Sequence, residues 1–384
     1  MGVSLLLVSG CTPTRHPKAA NPRPAASPSN PARFDEEGWS FEPLQTSDGP
    51  LYGSTLLVDG DALIVVGEAD EQSHLSRTSV SDESEPLRFS AWSEAGIGVK
   101  ALALRDDGTL VGSGVHLKRL EGALPWTETD VRISEAGDDV AVERLDACGF
   151  SSVGEAHRIV SANGVTTRAR GCARALRVEQ TRGGAWQTRY EETEKGTSVM
   201  SLSAFEGAVP WIVTCGREER EVEGFGAMPM DQCYGGDASS SALDPLDPSL
   251  YYVLVEYGRT GTLLLTAMRH AKNDDGGSVS QLVFSEGSPF SSEFEVVATN
   301  WAVGSLCTVG QDSRGRPFIV DDAGVWLRRD EAWAHHSLPA SIAFINACAW
   351  DDHDRLHLLV QREVRAPNGD VKDYISEYAT ARFE

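Results

Sequence analysis

From residue 34 onward the apolar residues come in short runs, often alternating with polar ones and bounded by Gly, Asp, Asn or Ser. Leu56-Leu-Val58, Leu63-Ile-Val-Val66, Val209-Pro-Trp-Ile-Val213, Leu263-Leu-Leu-Thr-Ala267 and Leu356-His-Leu-Leu-Val360 are examples. Runs of this length between turn residues are the mark of β-strands, and no segment repeats its apolar positions at helical spacing. The dipeptides Asp59-Gly60, Asp107-Gly108, Asn163-Gly164 and Asn368-Gly369 supply the positive backbone angles that tight hairpins need. The pattern predicts an all-β body over residues 34–384.

Self-similarity sets the architecture. Arg105-Asp-Asp-Gly108 leads to Gly114-Val-His-Leu-Lys-Arg119, Glu121 and Trp126, and Asp312-Ser-Arg-Gly315 leads to Gly324-Val-Trp-Leu-Arg-Arg329, Glu331 and Trp333. Weaker copies share the turn, the apolar strand and the closing Trp. Anchored on the turn, the copies fall at Gly60, Gly108, Gly154, Gly207, Gly261, Gly315 and Arg355, spaced 40–54 residues apart. That period fits four-stranded propeller blades and not a solenoid of 20–29-residue repeats. The expectation is a single β-propeller of seven four-stranded blades.

The two ends of the body predict how the ring shuts. After Arg355 there is room for only two strands, Leu356–Val364 and Tyr374–Phe383, and Ile345–Ala349 before the turn makes three. Trp39 precedes Gly60 by 21 residues, as Trp186 and Trp333 precede their next anchors by 21 and 22, and Trp92 and Trp126 by 16 and 28. The Trp39 segment therefore supplies the fourth strand, and a ring closed in this way leaves no sheet edge open. The repeat resembles the two-component-regulator propellers of bacterial periplasmic and surface proteins, with their D-x-x-G…G-x-x-x-R pattern. Such a resemblance implies the fold and leaves function open, because these rings serve many purposes.

Ahead of the body stands a different kind of sequence. Residues Val3 to Val8 are an apolar core, and Val8-Ser9-Gly10-Cys11 places small residues just before a cysteine. This resembles the lipobox of bacterial lipoprotein precursors. It implies a signal peptide over 1–10, cleavage after Gly10 and acylation of Cys11. No Lys or Arg precedes the apolar core, which points to an upstream start codon. Thr12 rather than Asp after the cysteine implies sorting to the outer membrane of a Gram-negative cell. Residues 11–33 read as a disordered linker: six of residues 12–33 are Pro, and no aromatic or large aliphatic residue is there to offset ordering. An extended Pro-rich chain of that length spans roughly 70 Å. The Cys11→Ser variant is expected to leave the membrane fraction; unchanged fractionation would contradict an anchor at Cys11.

Charge and cysteines narrow the remaining choices. The chain of 384 residues carries 34 basic and 57 acidic side chains, a net charge of −23. The linker holds Arg15, Lys18, Arg23 and Arg33, so it is +4 and the body −27 (the two sum to −23). So acidic a body excludes nucleic acid as a partner, while the basic linker suits anionic headgroups. Apart from Cys11 there are six cysteines: Cys148, Cys172, Cys215, Cys233, Cys307 and Cys348. An even number in an exported chain predicts disulfides. Cys307 and Cys348 hold similar positions before their turns and are expected to join neighbouring blades. Cys148–Cys172 and Cys215–Cys233 are the candidate local pairs.

Candidate chemistry is sparse. His353 and His357, four residues apart on a strand, would lie ~13 Å from each other, too far to share a metal. His335 and His336 are expected on opposite faces. Asp351-Asp-His-Asp354 and Asn273-Asp-Asp-Gly276 read as hairpin turns rather than calcium loops. Arg105, Arg119 and Arg329 are available to a funnel site, but the repetition around Arg119 and Arg329 speaks for a structural role. No phosphate loop, nucleophile elbow or metalloprotease motif is present, and no metal or cofactor is expected. Two functions remain. One is a monomeric, non-catalytic module binding a protein or glycan through loops on one face, with residues 217–249 forming the longest of them. The other is a polysaccharide hydrolase or lyase, expected to gather two carboxylates in the funnel.

Overall fold

Short strands separated by tight turns fold into meanders, and meanders with apolar faces must stack on one another. The computed structural model shows this arrangement. It describes residues 34–36, 38–69, 72–81, 86–91, 97–116, 128–133, 140–144, 158–172, 175–183, 185–192, 197–222, 226–238, 242–272, 278–288, 290, 293–301, 305–365 and 370–383. Among them are six consecutive four-stranded antiparallel sheets, here blades I to VI, and one five-stranded sheet, blade VII. The innermost strands are Tyr52–Asp59, Ile97–Leu104, Arg158–Ala162, Thr197–Ser203, Leu250–Tyr257, Leu306–Gln311 and Ile342–Trp350. Each lies beside the next, and the last lies beside the first, so the ring is closed around a central channel.

Blade VII is built from both ends of the body. Its strands run Ile342–Trp350, Arg355–Arg365, Val371–Arg382, Trp39–Pro43 and Phe34–Glu36. Ser40 pairs with Thr380 and Pro43 with Glu377, and Trp39 meets Phe383 edge to face at 5.9 Å. The Trp39 strand therefore closes the ring as its spacing predicts, and Phe34–Glu36 adds a fifth strand outside it. Phe41 is fully buried here, with Leu356, Leu358 and Ala379 of its own blade and Phe318 and Val320 of blade VI.

The repeated turn has one geometry. In 105–109, 258–262, 312–316 and 351–355 the first residue's N–H donates to the fifth residue's carbonyl at 2.8–3.0 Å. The fourth residue is left-handed: Gly108, Gly261 and Gly315 have φ of 76–78°, and Asp354 has φ 59°. This explains the glycine of the motif. The first-residue aspartate is explained in two copies, where Asp312 and Asp351 cap their own turns and pair with Arg316 and Arg355. One anchor is corrected. Gly154 lies outside the described residues, and the inner turn of blade III is Asn163-Gly164, both left-handed. Residues 217–249 are likewise not a run of long loops. Most of them belong to a hairpin of two twelve-residue strands, Trp211–Val222 and Gly226–Asp237, and Asp244–Pro245 is the outer strand of blade IV.

Both testable disulfides form. Cys215 and Cys233 face each other across the blade IV hairpin. Cys307–Cys348 joins the innermost strands of blades VI and VII, closing a loop of 41 residues' separation that contributes roughly 4 kcal/mol by the loop-entropy model. Cys172 ends the second strand of blade III, but Cys148, its candidate partner, lies outside the described residues, as do Cys11 and the linker.

Candidate functional site: the channel and its mouth

Every innermost strand runs in the same sense, so all begin on one face of the ring and end at the tight turns on the other. The face where they begin is the channel mouth. Large apolar side chains are exposed there. Tyr52 opens the inner strand of blade I and is 48% exposed; Phe344, near the start of the blade VII inner strand, is 54% exposed; Tyr374, near the start of Val371–Arg382, is 45% exposed. Phe344 and Tyr374 have ring centroids 5.8 Å apart. Phe344 is the cross-strand partner of Gln361, and Asn346 donates to the Gly53 carbonyl at 3.0 Å, tying the two blades together beside Tyr52. Burial of its hydroxyl end and the nearby Glu68 carboxylate push the Tyr52 phenol up, against hydrogen bonds with Asn346 and Gln361. The result is one platform of three rings with two amides between them, spanning the seam of blades VII and I.

Across the mouth, blade V presents Tyr252. It is exposed and has φ 50°, a left-handed conformation that bulky side chains avoid. A bulge in the inner strand between Tyr251 and Leu254 accompanies it. Its neighbour Tyr251 stacks on His270 at 4.3 Å and donates to Ser280.

Inside the channel one carboxyl stands out. Glu256 is four residues beyond Tyr252 on the same strand, ~13 Å deeper. Channel walls surround it on most sides, and this burial pushes it up to about 7, against a hydrogen bond with Ser203 and the positive charge of Arg158. Ser203 Oγ accepts the Tyr257 N–H at 2.9 Å, which aims its own proton at Glu256. Arg158 comes from the first position of the blade III inner strand and reaches into the same space. Desolvation holds its guanidinium below the usual arginine range, and Glu256 acts the other way. Among the described residues, the charge acting on Glu256 is this arginine and not a second carboxylate.

The raised Glu256 has a consequence for stability. A carboxyl with a folded value near 7 and an ordinary value of 4.5 favours the folded state fully below pH 4.5, and that contribution is lost as pH rises through 7. After allowance for channel water, the loss is roughly 2–3 kcal/mol. Denaturation at pH 5 and pH 8 should therefore show a larger pH difference for the native chain than for Glu256→Gln. Equal differences would place Glu256 in an unperturbed setting.

The residues singled out by sequence are distributed otherwise. Arg105 donates to Thr166 on the turn face, Arg329 ends the third strand of blade VI, and Arg119 and the Asn273 turn lie outside the described residues. His335 lies tilted against Trp326, ring centroids 4.3 Å apart, while His336 meets Phe383, on opposite faces as expected. The His357 ring meets Asp351 through Nε2 at 3.1 Å, and His353, in the turn, donates its backbone N–H to the same carboxylate, its own ring lying 4.0 Å from it. None of Tyr52, Tyr252, Phe344, Tyr374 or Glu256 belongs to a sequence motif.

No family model matches the chain. No curated protein matches it either. Solved structures do. The chain is similar to the GH74 xyloglucanase of Xanthomonas campestris, with a TM-score of 0.51 and 13% identity over 87% of this chain and 55% of that one. The polysaccharide lyase Uly1 is similar at a TM-score of 0.47 and 10% identity, over 86% and 89%. The α-L-arabinofuranosidase Arb93A of Fusarium graminearum gives 0.45 and 10%, over 75% and 93%. The fold is that of the β-propellers. At such identities the likeness establishes the architecture alone.

Proposed function

We propose that the protein is a lipoprotein of the bacterial cell envelope, anchored through Cys11, whose propeller binds a polysaccharide at the channel mouth and cleaves it with Glu256 as the proton-transferring group. The platform of Tyr52, Phe344 and Tyr374 carries this reading. Exposed aromatic rings in one contiguous set mark a binding surface, and aromatic faces flanked by amides suit the apolar faces and hydroxyl edges of sugar rings. Glu256 supports cleavage because a carboxyl poised near neutral pH can give or take a proton in either direction. The name of the xyloglucanase supports it further, since that protein is named for action on a glycan.

Arg158 as the charge partner, in place of the second carboxylate expected of a glycosidase, favours a second reading, a non-catalytic glycan-binding module. The experiment separates the two. Against a panel of soluble plant and bacterial polysaccharides, Tyr52→Ala with Phe344→Ala should weaken binding at least tenfold. Glu256→Gln should keep binding and lower turnover by about 10²–10⁴-fold. Binding without turnover by the native chain leaves the non-catalytic module standing. Binding that ignores the loss of both rings overturns the mouth as the site.

A further inference from the structure

The inner strand of blade V carries one residue more than its neighbour can pair. Tyr251 pairs with Met268 and Leu254 with Thr266, so Tyr252 and Val253 together oppose Ala267. On either side of that point the side chains sort cleanly between the two neighbouring blades. Leu250, Val253 and Val255 pack with Val213 and Leu246 of blade IV, while Tyr251 and Leu254 pack with Val309 and Ile319 of blade VI. Tyr252 belongs to neither set. The extra residue lifts its ring out of both blade interfaces, and it stands 40% exposed at the mouth.

That placement carries a backbone cost. Among the described residues, the left-handed positions without glycine are Asn163, Asn300, Asp330, Asp354 and Tyr252. The first four are Asn or Asp, whose short polar side chains tolerate the conformation; only Tyr252 is bulky. A bulge whose first residue is left-handed ordinarily has glycine there. Nor does the architecture demand the conformation. The inner strands of blades I, IV and VI bulge between Gly53 and Thr55, Val199 and Ser201, and Leu306 and Thr308, and no residue of these three bulges is left-handed. Strain kept where an unstrained residue would serve the fold points to a position held for function. The ring is also fixed from behind. Its centroid is 5.7 Å from that of Tyr251, which stacks on His270 and donates to Ser280. The His270 N–H donates to the Ser249 carbonyl at 3.2 Å, and the Asp247 carboxylate accepts from the N–H and the hydroxyl of Ser249, both at 2.8 Å. A ring preset in this way loses little freedom when a ligand covers it. It offers an apolar face with a polar tip, and Glu256 lies four residues farther along the same strand.

We propose that Tyr252 sets the chain-length specificity of the mouth: it stacks on one sugar unit of a glycan whose other units lie on the Tyr52, Phe344 and Tyr374 platform, so that only chains long enough to reach both sides gain its contact. This rests on the mouth as the polysaccharide site. The test is titration calorimetry with a ladder of oligosaccharides of increasing length, cut from whichever panel polysaccharide the native chain binds best. Tyr252→Gly should weaken binding of the longest members about tenfold and leave the shortest that bind unchanged, and Tyr252→Phe should keep the native pattern. Glycine is at ease at φ 50°, so Tyr252→Gly should keep the native thermal midpoint, while Tyr252→Ala, which retains the strained Cβ, should melt below Tyr252→Gly. Equal losses at every length, or no loss, overturn the proposal; the mouth itself still stands if Tyr52→Ala with Phe344→Ala weakens binding. A Tyr252→Gly midpoint several degrees below the native one also overturns it, since the residue would then serve the fold. A native chain that binds no polysaccharide of the panel removes the mouth site and the proposal together.

Discussion

Replacing Phe41 with Ala is expected to lower the stability of the folded ring by about 3–5 kcal/mol, as large-to-small changes at fully buried aromatic sites do. The side chain has no solvent exposure and sits in the cluster that joins blades VI and VII. Its position adds to the effect. The strand Trp39–Pro43 is the only one of its blade's inner four that comes from the other end of the body. Loosening it uncovers the edge of Val371–Arg382, a twelve-residue strand whose backbone would then be open to pairing with another chain. Urea denaturation measures the loss, and Phe41→Leu should retain most of the stability if the alanine variant does not fold. A change below about 1 kcal/mol for Phe41→Ala would mean that the clasp does not hold the ring.

The second large effect is expected at Asp351. Its carboxylate accepts from the backbone N–H groups of His353 and Arg355 at 2.7 and 2.9 Å and from the side chains of Arg355 and His357. Arg355 and His357 are themselves buried. Asp351→Asn removes the charge and turns an amide N–H₂ toward a guanidinium or an imidazole N–H. Breaking a buried pair in this way costs about 3–5 kcal/mol. Asp312→Asn is the control, because it changes the same turn motif where Arg316 is far more exposed and no histidine follows; its cost should be clearly smaller. The sign with pH is fixed as well. Because the folded value of Asp351 is depressed, its stabilisation is present above the ordinary value of 3.8 and is lost as pH falls below it. Equal losses for the two variants would show that the His357 link adds nothing.

Much of the ring was legible in the chain because its repeats are punctuated by glycine at a left-handed turn position that few other residues tolerate. Where another residue takes that position, as Asp354 does, the anchor shifted by one to Arg355. Blade III lost its anchor for a different reason: Gly154 falls nearer the regular spacing than Asn163-Gly164, and a periodic search prefers regularity. The ring's closure was readable from the Trp39 spacing, and the Cys307–Cys348 bridge from matching positions in adjacent repeats. The site was not readable. Tyr52 and Phe344 lie 292 residues apart in the chain, and only the shut ring makes them neighbours. Glu256 sits in Tyr251-Tyr-Val-Leu-Val-Glu-Tyr257, which reads as an ordinary strand. Its raised value comes from burial between the channel walls, against the opposing charge of Arg158 two blades away, and no local pattern records either. The Asp351–His357–Tyr378 chain of hydrogen bonds was hidden in the same way, since Tyr378 meets His357 only through the pairing of their strands.

The most direct measurement is a crystal structure of the protein bound to an oligosaccharide cut from whichever polysaccharide in the panel it binds best. Sugar rings should lie against Tyr52, Phe344 and Tyr374, with the chain directed down the channel toward Glu256. Sugar density confined to the turn face or the outer strands, with the three rings bare, would contradict the account.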